Sequence, residues 1–157
     1  MKKLFAFVLA LVLMASLAVP AYADTTEVKF NVDPTYTITI PATVELQKVE
    51  TDGVITYEND YTIEADAGVR LKKNEYIEVT VDSDFEMSTT EDATLVYTIT
   101  ADGNPVAQGG VVAQFTTDKA GQAATLHIAA DDPDFAGEYK DTVTFTISVK
   151  TTPNPNN

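Results

Sequence analysis

The segment that decides the fold is residues 134–149, DFAGEYKDTVTFTISV. After a polar turn its side chains alternate strictly: Val143, Phe145, Ile147 and Val149 share one parity, and threonines and a serine occupy the other. Successive side chains of a β-strand point to opposite faces of the sheet. The segment therefore predicts a turn followed by a long strand with one buried and one exposed face.

The same alternation recurs along the chain, and short turns rich in Gly, Asp, Asn and Pro separate its copies. Residues 52–53 and 102–103 are Asp-Gly pairs, which are typical of hairpins, and the polar run 58–60 also predicts a turn. No segment has a helical period. The pattern predicts an all-β protein, an antiparallel Greek-key β-sandwich of the immunoglobulin-like type with about eight to ten short strands.

The N-terminal 1–23 segment has the pattern of a secretory signal peptide. Two lysines precede an apolar run over residues 4–19, and residues 21–23 match a small-x-small cleavage site. An uncleaved anchor is the alternative, which the short apolar run and the cleavage site disfavour. We expect residues 24–150 to form a single exported β-sandwich domain and residues 151–157 to be a disordered tail.

The charge and the cysteine content restrict the partners. The chain has a formal net charge of −14 and no cysteine. Such acidity disfavours nucleic acid and anionic membrane surfaces, because phosphate binding needs clustered Lys and Arg. Arg70, Lys72 and Lys73 are the one local concentration of positive charge, in a predicted loop over residues 66–74. We expect a fold held by packing rather than disulfides, with no membrane insertion after signal cleavage.

Residues suited to covalent or zinc catalysis are scarce. His127 is the only histidine and lies on the polar parity of its strand, and no Gly-x-Ser-x-Gly motif occurs. A Ser-His-Asp triad and a zinc centre are therefore disfavoured. Because carboxylates are abundant, a secreted carbohydrate-active enzyme with two facing carboxylates is kept as an alternative. The prediction is a protein without catalytic activity and without a cofactor, calcium apart.

Clustered aspartates make calcium the one metal that the sequence suggests. Asp131, Asp132 and Asp134 lie together in a predicted loop, and residues 82–86 hold a second acidic group. Calcium takes about six to eight oxygen ligands and suits loops of exported proteins. Neither group has EF-hand spacing, and an Asp near Pro133 is also expected for turn geometry alone. We hypothesise a calcium site at the first group, with a solvated acidic surface as the alternative.

One aromatic side chain is a candidate for ligand binding. An exposed aromatic platform would favour carbohydrate binding, and the chain has no tryptophan. Tyr61 and Tyr97 lie on the apolar parity of their strands and should be buried, whereas Tyr76 lies on the polar parity. Tyr76 is therefore the predicted ligand-binding residue if the protein is a carbohydrate-binding domain.

Two segments resemble bacterial surface proteins. Residues 136–145 contain Gly137, Tyr139 and Asp141 in a Gly-x-Tyr-x-Asp-Thr-Val pattern, which resembles the closing strand of pilus-subunit and adhesin-type sandwiches. The run 36–42, YTITIPA, resembles an early strand of exported surface proteins. The Gly-x-Tyr spacing is also similar to the tyrosine corner of immunoglobulin-type domains, in which a Tyr hydroxyl ties down a chain crossing. The chain thus resembles bacterial secreted or cell-surface immunoglobulin-like sandwich proteins.

This resemblance implies an extracellular protein, secreted or associated with the cell surface, that acts as a structural or adhesion-type binding module. Its partners would be proteins or glycans at the cell surface. Residues 25–32 alternate Val28, Phe30 and Val32 with polar residues. Such a strand could pair with the sheet edge of a neighbouring copy and so drive self-association. Of the two arrangements, the sequence favours pairing within its own sandwich.

Overall fold

The computed structural model describes residues 27–118 and 120–152. The predicted signal peptide and residues 153–157 of the predicted tail lie outside the described residues. The chain divides into two compact units between Val32 and Asp33. Residues 27–32 of the first unit form no strand, and the β-sandwich belongs to the second. Within the described ranges, no helix has the length and apolarity needed to cross a membrane.

The described part of the second unit contains ten β-strands separated by turns and loops. Their bounds are β1 (Ile38–Thr39), β2 (Gln47–Thr51), β3 (Val54–Ala65), β4 (Glu75–Asp82), β5 (Glu86–Ser88), β6 (Thr94–Ala101), β7 (Asn104–Pro105), β8 (Val111–Phe115), β9 (Gln122–Asp131) and β10 (Thr144–Thr151).

The strands form two sheets in which every paired neighbour is antiparallel. The larger, seven-stranded sheet has the order β1-β3-β9-β6-β5, with β2 also paired to β3 and β7 to β6. The smaller, three-stranded sheet has the order β10-β4-β8. This arrangement confirms the predicted fold class, an all-β, antiparallel, immunoglobulin-like sandwich.

Both Asp-Gly pairs form tight hairpin turns, as predicted. Thr51 pairs with Val54 and Ala101 with Asn104, leaving two residues in each turn. The Asp and Gly have φ angles of 54° and 81° in the first turn and of 50° and 75° in the second. Two successive positive φ angles define the type I′ turn, whose twist matches that of the flanking strands.

The predicted turn over residues 58–60 is wrong, because β3 continues through it. Asn59 lies on the inward parity, and its side-chain amide donates to the Glu45 carbonyl at 2.8 Å. Glu58 and Asp60 lie on the opposite parity and flank the ring of His127 on β9, at 3.2 Å and 3.0 Å. Partners that are distant in sequence satisfy this polar run, so the strand is not interrupted.

The core lies between the sheets and is built from the inward parity of the central strands. Tyr61 and Tyr97 are 7% and 4% exposed, which confirms their predicted burial. Full burial of a large aliphatic or aromatic side chain stabilises the fold by about 1.5–3 kcal/mol. The largest fully buried side chains are Phe115, Ile63, Ile77, Ile99, Leu126, Val69, Val79 and Val81.

Candidate functional site

Strand β10 contains most of the apolar alternation of the segment quoted first, and it lies at an edge of the smaller sheet. It pairs along its whole length with β4, from Thr144 opposite Asp82 to Thr151 opposite Glu75. In the described part of the chain, no strand pairs with its other edge. A strand edge of this kind offers backbone N–H and C=O groups to another strand.

The inner face of β10 is only partly covered. Ile147 and Val149 are 40% and 41% exposed, whereas their partners on β4, Val79 and Ile77, are both 0% exposed. Exposure therefore rises sharply between two neighbouring strands of one sheet. Exposed apolar side chains on an inner face indicate a surface that another element can cover.

The order of the strands shows where such an element would lie. β10 packs under β3, because Tyr61 on β3 stacks on Phe145 on β10, with ring centroids 5.8 Å apart. At the other side of the smaller sheet, β8 contacts β9 and β6. The smaller sheet thus covers β3, β9 and β6, and among the described strands none faces β1, which lies beyond β3.

The segment that contains β1 forms the second boundary of this uncovered strip. Ile38 and Ile40 are partly buried against the core, and Tyr36 is 45% exposed. We use the name open edge for the strip between β10 and this segment. It is bounded by Ile147 and Val149 on one side and by Tyr36, Ile38 and Ile40 on the other.

Tyr61 holds both boundaries of the open edge. Its ring stacks on Phe145, and its hydroxyl donates a hydrogen bond to the carbonyl oxygen of Pro41, just after β1. Burial raises the pKa of Tyr61, so the hydroxyl keeps its proton and remains a donor. One side chain therefore ties β3 to β10 and to the segment around Pro41.

The turn before β10 is fastened by the tyrosine corner that the motif predicted. The hydroxyl of Tyr139 donates to the carbonyl of Phe135 at 2.9 Å. Lys140 and Ser88 exchange two backbone hydrogen bonds, of 2.9 Å and 3.0 Å, at the edge of β5. The chain then crosses to the smaller sheet, where β10 begins at Thr144. The corner therefore fixes the place at which β10 starts.

Asp141 connects the two sheets at this crossing. One of its carboxylate oxygens accepts hydrogen bonds from the hydroxyls of Tyr97 and Ser83, at 2.6 Å and 2.7 Å. The other oxygen accepts the backbone N–H of Thr142 at 2.6 Å. Tyr97 lies on β6 of the larger sheet, and Ser83 follows β4 of the smaller one. The carboxylate thus joins β6, the end of β4 and the approach to β10.

The protonation of this network follows from its surroundings. Desolvation, the largest single influence on Asp141, favours the neutral acid, but the hydrogen bonds from Tyr97, Ser83 and Thr142 together lower the pKa of Asp141. Burial, followed by the hydrogen bond to Asp141, raises the pKa of Tyr97. At neutral pH Asp141 is therefore a carboxylate that accepts a hydrogen bond from a neutral tyrosine.

The N-terminal segment presents its apolar parity to solvent. Val28 and Phe30 are both 89% exposed, and Val32 is 48% exposed. Lys29 and Glu27 form an exposed ion pair of 2.9 Å on the polar parity. The predicted strand over residues 25–32 is wrong for residues 27–32, which have no strand conformation. A strand needs a partner for its backbone groups, and the alternation of Val28, Phe30 and Val32 suits a strand with one apolar face.

The predicted calcium ligands lie at the end of β9 and in the loop after it. Asp131 is the last residue of β9, Asp132 and Asp134 follow it, and all three are exposed. Within residues 27–118 and 120–152, no group of three His, Cys, Asp or Glu side chains is arranged to hold a metal ion. The calcium site stays a prediction.

Tyr76, the predicted ligand-binding residue, is half-buried on the outer face of β4. Its hydroxyl lies 3.5 Å from a carboxylate oxygen of Glu78. The ring borders an open depression of about 720 Å³ at the start of β4, which Lys72, Lys73 and Gln114 also line. The depression combines an aromatic ring with polar groups, and ligand binding there stays a prediction.

The fold is an antiparallel, immunoglobulin-like β-sandwich. The chain is similar to a solved structure of the P pilus rod subunit PapA, with a TM-score of 0.55 and 10% sequence identity over 73% of this chain and 99% of that one. This similarity confirms, for the fold, the resemblance to pilus subunits that the motifs suggested.

A second solved structure is described as "Chaperone-tip adhesin complex is vital for synergistic activation of CFA/I fimbriae biogenesis". It matches with a TM-score of 0.46 and 17% identity over 75% of this chain, and the match spans 43% of that chain. No family model and no curated protein matches the sequence.

Proposed function

We propose that the protein is a non-catalytic structural subunit of an extracellular, pilus-like assembly, and that its copies join by strand donation. The observation that carries the proposal is the open edge, where Ile147 and Val149 stay about two-fifths exposed on the inner face of a sandwich. The fold shared with a pilus rod subunit supports the same assignment. A signal-peptide pattern at the N-terminus agrees with an extracellular location.

The occupant that we assign to the open edge is the segment 24–33 of a second copy. Val28, Phe30 and Val32 share one parity, so a strand formed here would turn all three side chains into the open edge and its polar residues outward. A strand rises about 3.3 Å per residue. The eight-residue β10 and the donated segment therefore match in length, at roughly 26–33 Å.

Burial supplies the stabilisation of the joined state. Val28 and Phe30 would each contribute about 1.5–3 kcal/mol on moving from solvent into the strip beside β10, and Val32, which is already about half-buried, would contribute less. Backbone hydrogen bonds to the free edge of β10 would add about 1 kcal/mol each. Association and the ordering of the segment oppose these contributions. Copies joined in this way need no new covalent bond.

The experiment compares the chain 24–157 with a variant that lacks residues 24–33, using light scattering over a range of concentrations. We expect multimers from the first and monomers from the second. A synthetic peptide of residues 24–33 should bind the truncated protein. Monomeric chain 24–157 at high concentration, or equal multimers from both proteins, would contradict strand donation.

A matched pair of substitutions locates the contact on β10. Ile147→Lys places a charge on the inner, half-open face and should abolish multimers and peptide binding. Thr146→Lys places the same charge on the outer face of the same strand, where Thr146 is exposed, and should preserve both. Circular dichroism checks that both variants keep the sheet. Equal effects of the two variants would show that the contact does not involve the inner face.

A further inference from the structure

Three of the ten Lys and Arg residues of this acidic protein lie close together in the loop between β3 and β4. Arg70, Lys72 and Lys73 are all exposed. None of them takes part in an ion pair within the described residues, whereas Lys29, Lys140 and Lys150 do. We use the name basic loop for Arg70, Lys72 and Lys73. Three free cations on a chain of net charge −14 form a distinct surface feature.

Exposed carboxylates are gathered on a second surface, which we name the acidic end. Its members end or follow β4 and β9, and they comprise Asp82, Asp84, Asp131, Asp132 and Asp134. The Asp141 network connects the two sheets at this same end, through Ser83 after β4 and Tyr97 opposite Ala130 near the end of β9.

The sheet register places the basic loop and the acidic end at opposite ends of the sandwich. The basic loop lies between Ala65, where β3 ends, and Glu75, where β4 starts. β4 runs from there to Asp82, and β9 runs from Gln122, opposite Ala65, to Asp131. Eight residues of β4 span about 26 Å. This exceeds the screening length of about 8–10 Å at ordinary salt, so the two charged surfaces act independently.

Near its start, the second unit is paired with the basic loop. The N–H of Thr35 donates to the Arg70 carbonyl at 2.9 Å, and the N–H of Arg70 donates to the Thr35 carbonyl at 2.8 Å. Asp33 is the first residue of the second unit. Thr35 is three residues after Val32 and is paired with Arg70, so a copy that donates Val32 to a neighbour holds its own basic loop near the point of donation.

The direction of the donated strand then decides which charges meet. β10 runs from the acidic end to the basic loop, because Thr144 is opposite Asp82 and Thr151 is opposite Glu75. A strand antiparallel to β10 brings its last residue, and with it the donor's basic loop, to the recipient's acidic end. A parallel strand brings two basic loops together, which repel each other.

Resting on the proposed strand donation, we propose that the basic loop of one copy docks on the acidic end of the next copy. Opposite charges on the two ends then set a head-to-tail order in the assembly. Exposed ion pairs contribute about 0.2–1 kcal/mol each, so several of them together change an association constant by about tenfold. The contact adds selectivity to the apolar pairing along β10 and weakens as salt rises.

The test is a charge exchange in the chain 24–157, followed by light scattering. K72E/K73E and D131K/D132K should each weaken association about tenfold at low salt, and the difference from wild type should shrink at high salt. An equimolar mixture of the two variants should regain association, because each loop then faces an end of opposite charge. K48E, on β2 and outside both charged surfaces, is the control and should associate as wild type does.

Peptide binding separates this inference from the strand donation on which it rests. The peptide 24–33 carries no basic loop, so it should bind the truncated K72E/K73E protein as tightly as the truncated wild type. If the peptide does not bind either protein, the strand donation is wrong. If the peptide binds, but neither the charge variants nor salt changes association of the chain 24–157, the contact between loop and acidic end is wrong.

Discussion

The rings of Tyr61 and Phe145 stack with their centroids 5.8 Å apart and their planes within 4° of parallel. Tyr61 belongs to the larger sheet and Phe145 to the smaller one, so the stack joins the two layers next to the open edge. The hydroxyl of the same tyrosine holds the carbonyl of Pro41. The groove proposed to receive a strand is therefore shaped by one aromatic pair and one hydrogen bond.

Loss of the Tyr61 hydroxyl and loss of the Phe145 ring should lower the unfolding free energy by different amounts. Tyr61→Phe keeps the stack and loses the hydrogen bond to Pro41, which should cost about 1 kcal/mol of unfolding free energy. Phe145→Ala removes the stack and leaves a cavity beside a partly buried strand, which should cost about 3 kcal/mol. Urea denaturation measures both. A larger loss from Tyr61→Phe than from Phe145→Ala would contradict this division of roles.

Much of the sheet structure could be predicted because burial imposes a local pattern. Strands such as β4 and β10 alternate apolar and polar side chains, and Tyr61 and Tyr97 lie on the faces of their strands that point into the core. The run 58–60 could not be interpreted in this way. Its polar groups are satisfied by His127 and by the Glu45 carbonyl, and neither contact is visible in a local pattern.

The candidate site was less predictable than the strands. The tyrosine corner follows from a short motif, since the hydroxyl of Tyr139 reaches a carbonyl only four residues away. The exposure of Ile147 does not follow from its sequence, because an alternating Ile predicts burial and the open edge arises from the number of strands in the sheet. One signal could have indicated the Asp141 network. The buried Tyr97 hydroxyl requires a polar partner, and the motif contains a carboxylate.

The glycine of the motif should be required for packing rather than for backbone conformation. A Cβ added to Gly137 would lie 2.7 Å from Cγ2 of Thr89, and Gly137 does not have a positive φ. Gly137→Ala should therefore cost about 1–3 kcal/mol through the clash. Thr89→Ser removes Cγ2 and keeps the oxygen that accepts the N–H groups of Glu91 and Ala93. The double variant should recover most of the lost stability in urea denaturation.

Gly68 provides the control for that rescue. Its φ is +90° and a Cβ there would meet nothing within 4 Å, so Gly68→Ala strains the backbone without a clash. Thr89→Ser should not recover the stability lost in Gly68→Ala. Failure of Thr89→Ser to rescue Gly137→Ala would show that the glycine serves another purpose than close packing.

The calcium hypothesis makes a thermal prediction. A cation bound only by the folded state raises the melting temperature, by an amount that grows with the logarithm of its free concentration once that exceeds the Kd. If Asp131, Asp132 and Asp134 hold calcium, a chelator should lower the melting temperature by several degrees, and D131N/D132N should remove the response. Differential scanning calorimetry with and without chelator measures it, with Asp92→Asn as the control. Identical melts under both conditions would remove the hypothesis.

Asp141 should make the unfolding free energy depend on pH in the acidic range. Its pKa is lowered in the folded protein, so the unfolded chain takes up the proton first as the pH falls. The stabilising contribution of Asp141 is fully present above the ordinary carboxyl pKa of about 4 and is lost as the pH falls through the lower folded value. Asp141→Asn should therefore cost about 1–2 kcal/mol of unfolding free energy at pH 7, because two hydroxyls lose their charged acceptor. Between about pH 4 and pH 2 the unfolding free energy of this variant should fall less than that of wild type.

An exposed acid outside this network supplies the comparison for Asp141. Asp66 is exposed, and Asp66→Asn should leave both the stability at pH 7 and the slope below pH 4 close to wild type. Tyr97→Phe removes the hydroxyl that donates to Asp141 at 2.6 Å. The stability of this variant should therefore depend less on pH below pH 4 than that of wild type, as in Asp141→Asn. Urea denaturation at a series of pH values measures all three variants. Parallel curves for wild type and Asp141→Asn below pH 4 would show that another carboxylate governs acid unfolding.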